Sequence, residues 1–313
     1  MSEDQEFARL ARNIKIKKWL LTFVMVFCTI ILVALFAYKI DAALTRRQHD
    51  RLDRRMQIEY QLMSPNIEIS DRYISEAGAF AGGKLISHRY KEIDGYRIPW
   101  SPQEGKYTFW SEEILMGDMI DFAGDQAYDR QTQTKIPIFY NKYAKLKPGR
   151  IFPVKKVNEI GQVAKMKGYV AEVALTFKEP LTYEEINRKL PDKIKGNWYW
   201  FGMGTSKELC AYNNQYLGFQ VNRHNRLKGD YRDGVEMIKS NPKVNLGEFN
   251  SFSYSDYLKN YFKKYPTIDK AKFAGVIITG KSENFAPLVG ASWIYASSVG
   301  ATIKTVPYIE PKY

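Results

Sequence analysis

Cysteine is almost absent: the 313 residues include two, Cys28 and Cys210. Cys28 stands inside a long apolar run and Cys210 is alone in the polar remainder, so no intramolecular disulfide is available to hold the fold. A domain in an oxidising space manages without one when its core is large enough. Histidine is nearly as scarce. His49, His88 and His224 are far apart and have arginines nearby, which weakens any hold on a cation, so no metal site is expected.

Charge, glycine and proline are all missing from Trp19 to Tyr38. Twenty helical residues at ~1.5 Å each cover about 30 Å, the thickness of a bilayer's hydrocarbon core, and a soluble helix has no need to be apolar on every face. The stretch is therefore read as a transmembrane helix. Its interface residues are Lys17, Lys18 and Trp19 at one end and Tyr38 and Lys39 at the other, where amphipathic rings and cations favour the headgroups. A cleaved signal peptide has a shorter apolar region, usually ~7–15 residues, and a small-residue cleavage site, and no clean Ala-x-Ala follows here.

Charge does not orient the span. Arg9, Arg12, Lys15, Lys17 and Lys18 precede it, and Lys39, Arg46, Arg47, Arg51, Arg54 and Arg55 follow within a similar distance. Mean hydropathy is −0.41 despite the span, so the 275 residues beyond Tyr38 must be strongly water-facing. They are enough for two ordinary domains. Of the net charge of +13, +11 lies beyond residue 18. Anionic lipid or wall polymer outside, or nucleic acid inside, would suit it, as would a plain solvated surface. No basic run with interleaved aromatics follows residue 60, so nucleic acid is not an expected partner.

Residues 1–18 begin with Glu3, Asp4 and Glu6 and end in Lys15, Lys17 and Lys18, while Phe7, Leu10 and Ile14 recur on one helical face. That face is either a surface-lying extension of the anchor or a docking helix for a partner. Lys39 to Met63, without Gly or Pro, reads as a helical stalk that Pro65 ends. Short strands are expected over 66–70, 72–80 and 85–91, with a hairpin turn at Ile93-Asp94-Gly95-Tyr96. A helix is expected over Ser111 to Ala127, from Ile114, Leu115, Ile120 and Phe122.

A second unit starts near Val154. Strands are expected over 169–177, 197–203, 217–221, 272–279 and 293–306. Helices are expected over 181–190, where Thr182 and Glu185 spell a capping box, over 254–265, and as a short turn over 282–288. The fold class is α+β, with a single N-terminal transmembrane helix, a helical stalk and two mixed sheet/helix domains whose helices lie on one face. The parts are 1–18, 19–38, 39–150 and 151–313.

Several chemical patterns match on paper. Gly275-Val-Ile-Ile-Thr-Gly280-Lys281-Ser282 spells a phosphate loop, but Val276, Ile277, Ile278 and Thr279 are β-branched and read as the strand itself. Ala296-Ser297-Ser298-Val299-Gly300 imitates a nucleophile elbow, yet more strand follows and no His lies after Ser298. Gly202-Met203-Gly204 lacks the third glycine of a dinucleotide fingerprint. No catalytic residue, cofactor or metal is expected, and the chain is not read as an enzyme.

The run from Asn66-Ile-Glu-Ile through Gly82-Gly83-Lys-Leu-Ile-Ser-His-Arg-Tyr-Lys-Glu-Ile-Asp-Gly-Tyr-Arg-Ile-Pro-Trp100 resembles the N-terminal sigma-factor-regulator domain. Phe273-Ala-Gly-Val-Ile-Ile-Thr-Gly280 with Ile294-Tyr-Ala-Ser-Ser-Val-Gly300-Ala-Thr resembles its C-terminal companion. The two cover most of residues 10–310. The architecture is similar to membrane anti-sigma factors of Gram-positive bacteria. That resemblance implies an N-terminus inside, sheet domains outside, and a partner in an extracytoplasmic-function sigma factor. With only 18 residues before the span, a second membrane protein is a further expected partner. The alternative is a membrane-tethered, extracytoplasmic binding domain without sigma-factor regulation.

Overall fold

The computed structural model describes residues 3–78, 82–117, 119–145, 155–203, 208, 210–212, 215–221, 227–249 and 252–311. His224 and Gly204 lie outside the described residues. The predicted anchor and stalk form one helix, α1 (Glu3–Met63), whose 61 residues span about 90 Å. No part of its apolar stretch is buried in the protein. The Ser64 hydroxyl donates back to the Glu59 carbonyl at 3.2 Å, and Asn66, at φ 57°, turns the chain after Pro65.

An antiparallel sheet follows in sequence order: β1 (Ile67–Gly78), β2 (Gly82–Ile93), β3 (Tyr96–Tyr107) and β4 (Glu112–Met116). The two strands expected over 66–80 are one, with a register shift between Ile69 and Asp71. Asp94 (φ 50°) and Gly95 (φ 95°) make the expected two-residue hairpin, both with the positive φ that matches strand twist.

The helix expected over Ser111 to Ala127 is not formed. Those residues build β4, β5 (Ile120–Ala123) and the start of β6 (Gln126–Asp129). Gly124 at φ +60° closes a tight β5–β6 turn, and the apolar residues sit on short strands instead of one helical face. β5, β6 and β7 (Lys135–Ile136) form a three-stranded sheet. β8 (Phe139–Tyr140) leaves it to pair with a later strand.

After α2 (Ile160–Val163) comes the main sheet. β9 (Tyr169–Thr182) runs into α3 (Tyr183–Lys189), where Thr182 and Glu185 form the predicted reciprocal capping box. β10 (Lys195–Trp200), β11 (Cys210–Ala211, the partner of β8) and β12 (Gly218–Gln220) follow. Next come α4 (Leu227–Ser240), β13 (Glu248–Phe249), β14 (Phe252–Ser253), α5 (Tyr254–Lys264), β15 (Lys272–Lys281) and β16 (Ile294–Lys304). The expected turn over 282–288 is a 3-10 helix, and α4 was not foreseen.

The five-stranded sheet is antiparallel, in the order β12-β10-β15-β9-β16. One face carries Val173, Leu175, Val276, Ile278, Tyr199 and Phe273 into a core with Ile186, Val235, Leu258 and Phe262 of α3, α4 and α5. The helices therefore occupy one face, as the order of elements predicted. The opposite face presents Ala174, Trp198, Trp200 and Ile277 to Phe139 and Tyr216, and Phe139 stacks on Trp200 at 4.6 Å. Because residues 135–140 pack here, the first sheet and the main sheet share buried contacts. Ile67, Trp100, Ile136 and Ala296 lie in one cluster.

Candidate functional site

The C-terminal end of α1 packs against both sheets. Its first anchoring turn sets Leu52 and Met56 against Leu85 and Tyr107 of the first sheet, all buried. Two turns on, Ile58, Leu62 and Met63 enter the core of the main sheet, where Leu62 is fully buried and would lie 3.3 Å from a Cβ added at Gly234 of α4. Burying such side chains stabilises by roughly 1.5–3 kcal/mol each.

Polar groups fix the rotation of the helix. Arg72 Nη1 donates to Asp53 at 2.7 Å, Gln103 Nε2 to Glu59 at 2.6 Å, and the Tyr60 hydroxyl to Glu68 at 2.9 Å. Arg55 holds the same Glu59 at 3.0 Å. Gln61 reaches the Asp230 carbonyl of α4 at 3.4 Å. The helix that crosses the apolar layer is thus a structural member of the folded part, without a linker between them.

Just beyond α1, Asn66 joins a buried charge cluster. Its Nδ2 donates to Glu172 Oε1 at 2.9 Å, and Lys91 Nζ lies 2.8 and 2.7 Å from the two oxygens of Glu172. Lys91 belongs to β2 and Glu172 to β9, so the pair ties the two sheets together. Charges this deep are tolerated only when paired and hydrogen-bonded. Nothing in the sequence marked either residue, because each reads as an ordinary strand charge.

The sequence-predicted interface and docking residues lie at the other end of α1 and beside the apolar stretch. Phe7, Leu10 and Ile14 are 80 %, 60 % and 51 % exposed, share one face and touch nothing in the folded part. Lys17, Lys18 and Lys39 are exposed, as are Trp19 and Tyr38.

The motifs set aside from sequence are strand and packing elements. Gly275 to Lys281 lies in β15. A Cβ added at Gly275 would meet the Phe139 ring at 2.7 Å, and one at Gly280 the Lys193 carbonyl at 3.0 Å, so the space a phosphate needs is filled. Ser297 Oγ accepts from the Ile160 amide at 3.1 Å in the core of β16. His49 sits edge-on to Tyr107, and His88 contacts Asp71 and Tyr73. Among the described residues, no group of His, Cys, Asp and Glu could hold a metal ion.

Burial raises the Cys210 thiol to about 11 and holds it protonated. Burial likewise pushes the hydroxyls of Tyr199, Tyr216 and Tyr261 well up. These groups are core members, not nucleophiles. A cleft of about 520 Å³ lies beside β16, bordered by Tyr128, Gln162 and Thr302. Among the described residues its charged lining is Lys135 and Glu159, paired at 2.9 Å, so it offers no net charge to a ligand.

Two family models match: "Sigma factor regulator N-terminal" over residues 8–98 and "Sigma factor regulator C-terminal" over residues 163–301. The chain belongs to the sigma factor regulator family. The N-terminal match takes in Leu10 and Ile14 but not Phe7, then the span, the stalk, β1, β2 and the first residues of β3. The C-terminal match takes in the main sheet as far as Ala301 within β16. This sigma factor regulator is a single-pass membrane protein of a regulatory, non-enzymatic kind. No curated protein and no solved structure matches the chain.

Proposed function

We propose that this regulator is an anti-sigma factor that couples the state of the cell envelope to an extracytoplasmic-function sigma factor. Residues 1–18 lie in the cytoplasm, 19–38 cross the bilayer, and the parts 39–150 and 151–313 lie outside. The observation that carries this reading is the unbroken helix from Glu3 to Met63, seated in both sheets at one end and bare at the other. A rigid rod of that kind moves its inner end whenever the outer fold shifts or rotates, whereas a tethered binding domain would be served as well by a loose linker.

On this reading the inner surface offered to the sigma factor, alone or with a second membrane protein, is Phe7, Leu10 and Ile14. The chemistry is protein docking, with no catalytic step and no cofactor. The test is transcription from the sigma factor's own promoter in cells carrying Phe7→Ala with Leu10→Ala. Full burial of such side chains against a partner is worth ~1.5–3 kcal/mol each, so the double variant should weaken docking at least about tenfold. Transcription should rise while the protein stays in the membrane at its normal level. Unchanged repression in a chain lacking residues 2–13 would remove this face from consideration.

A further inference from the structure

The folded part reaches much closer to the bilayer than its attachment through a stalk suggests. One face of α1, formed by Asp41, Thr45, Gln48, Leu52 and Met56, is partly covered at Asp41 and Thr45 and buried from Gln48 onward, while Ala42, Ala43 and Leu44 are exposed. Cover on that face thus begins three residues after Tyr38.

The contacts also fix which end of the first sheet faces the membrane. His49 meets Tyr107 at 5.1 Å, Leu52 lies over Gly105, and Glu59 binds Gln103. Residue numbers rise along α1 as they fall along β3. The same holds for β1, where Asp53 pairs with Arg72 and Tyr60 with Glu68. The β3–β4 turn beyond Tyr107 therefore points back toward the bilayer.

The distances agree. His49 is about 16 Å beyond Tyr38 along the helix axis, from eleven residues at ~1.5 Å each. Beyond Tyr107 the chain turns, with Thr108 bonded to Ser111, so one strand step of ~3.3 Å and a tip of similar depth bring Trp110 about 6 Å back toward the membrane. That leaves the Trp110 backbone about 10 Å above the level of Tyr38, within an indole side chain's reach of a headgroup layer about 5–7 Å deep.

The turn is built to hold an aromatic tip. The Thr108 amide donates to the Ser111 carbonyl at 2.8 Å, and the Ser111 amide to Thr108 Oγ1 at 3.2 Å. Phe109 lies against Trp110 with centroids 3.9 Å apart, and Trp110 is 69 % exposed. No Lys or Arg falls between Thr108 and Glu113, and Glu112 and Glu113 are acidic, so attraction to anionic lipid is not the force. An exposed indole beside an interface suits the boundary between headgroups and acyl chains.

We propose that the Phe109–Trp110 turn is a second membrane contact, seating its indole in the headgroup layer of the leaflet from which α1 emerges. The folded part is then held to the bilayer at two points and cannot pivot freely about the helix. The inference rests on α1 crossing the bilayer and holds for either orientation.

The experiment uses the full-length protein at one copy per lipid nanodisc. Emission due to Trp110 is obtained by subtracting the spectrum of Trp110→Ala, with Trp110→Phe as a second subtraction should the smaller side chain loosen the turn. Emission due to Trp19 is obtained in the same way from Trp19→Phe. Lipid brominated just below the glycerol backbone should remove most of the Trp110 emission, and aqueous iodide little of it. Quenching by iodide alone would overturn the proposal, as would protection from both agents, which would mark a protein occupant. Trp19 separates the two failures, because a span that does not insert would leave Trp19 unquenched by lipid as well.

Discussion

Lys91 and Glu172 form a fully buried, two-oxygen ion pair between the first sheet and the main sheet, at 2.8 and 2.7 Å. The ammonium also lies 4.6 Å from the Trp100 ring centroid, and the carboxylate accepts from Asn66. The pair therefore couples β2 of the first sheet to β9 of the sheet that carries the helices, and Asn66 brings the chain just after the stalk into the same cluster. Gly300 belongs to the same arrangement, since a Cβ there would sit 2.4 Å from Glu172 Oε2.

Removing one partner leaves the other charge buried and alone. Glu172→Gln should destabilise the folded part by about 3–5 kcal/mol, as broken buried pairs do. Adding Lys91→Met should restore much of that loss, because no unpaired charge is then left buried and the amide at 172 can still accept from Asn66. Urea unfolding of the single and double variants checks the pattern. A loss in the double variant equal to the sum of the losses in Glu172→Gln and Lys91→Met alone would show that the two residues act independently.

Lys281 is at the end of β15, partly exposed and paired in register with Val170. Lys281→Ala should change stability within about ±0.5 kcal/mol, the usual range for surface changes. Calorimetry should find no saturable ATP binding in either protein. Binding that is lost in the variant would restore the phosphate-loop reading.

Orientation can be tested with thiols, but Cys210 does not serve, being buried with a thiol pushed up to about 11. Tyr308 is 84 % exposed and Ala8 is exposed on α1. In a Cys28→Ser background, a membrane-impermeant maleimide applied to intact cells should label Tyr308→Cys and spare Ala8→Cys. Cys210 should react only after denaturation. The reverse labelling of Tyr308→Cys and Ala8→Cys would put the sheets inside.

Much of this architecture was readable in advance where the signal is local. Twenty uncharged residues, the Asp94-Gly95 turn and the Thr182–Glu185 capping box each depend on neighbours a few positions away. The β-branched run Val276 to Thr279 was strand-like on its own account, which exposed the false phosphate loop. The failures have equally physical causes. In α4 the apolar residues Tyr231, Val235 and Ile238 keep helical spacing, but Gly229 and Gly234 weaken the helix signal. Between Ser111 and Ala127 short strands left enough apolar coincidences to imitate a helix. The Lys91–Glu172 pair joins residues 81 positions apart, and no local pattern reports such a partner. Phe7, Leu10 and Ile14 were legible as one helical face, and all three are exposed in the structure.

The account stands on α1 acting as one rigid member from its N-terminal segment to the sheets. The most direct measurement inserts a flexible Gly/Ser segment of about eight residues between Lys39 and Ile40, which uncouples the two ends without changing either. Membrane content and protease resistance of the folded part should match the native protein, and transcription from the sigma factor's promoter should stay repressed in unstressed cells. On envelope stress, the native protein should release transcription and the inserted one should not. A full stress response through the flexible insert would contradict transmission along the helix.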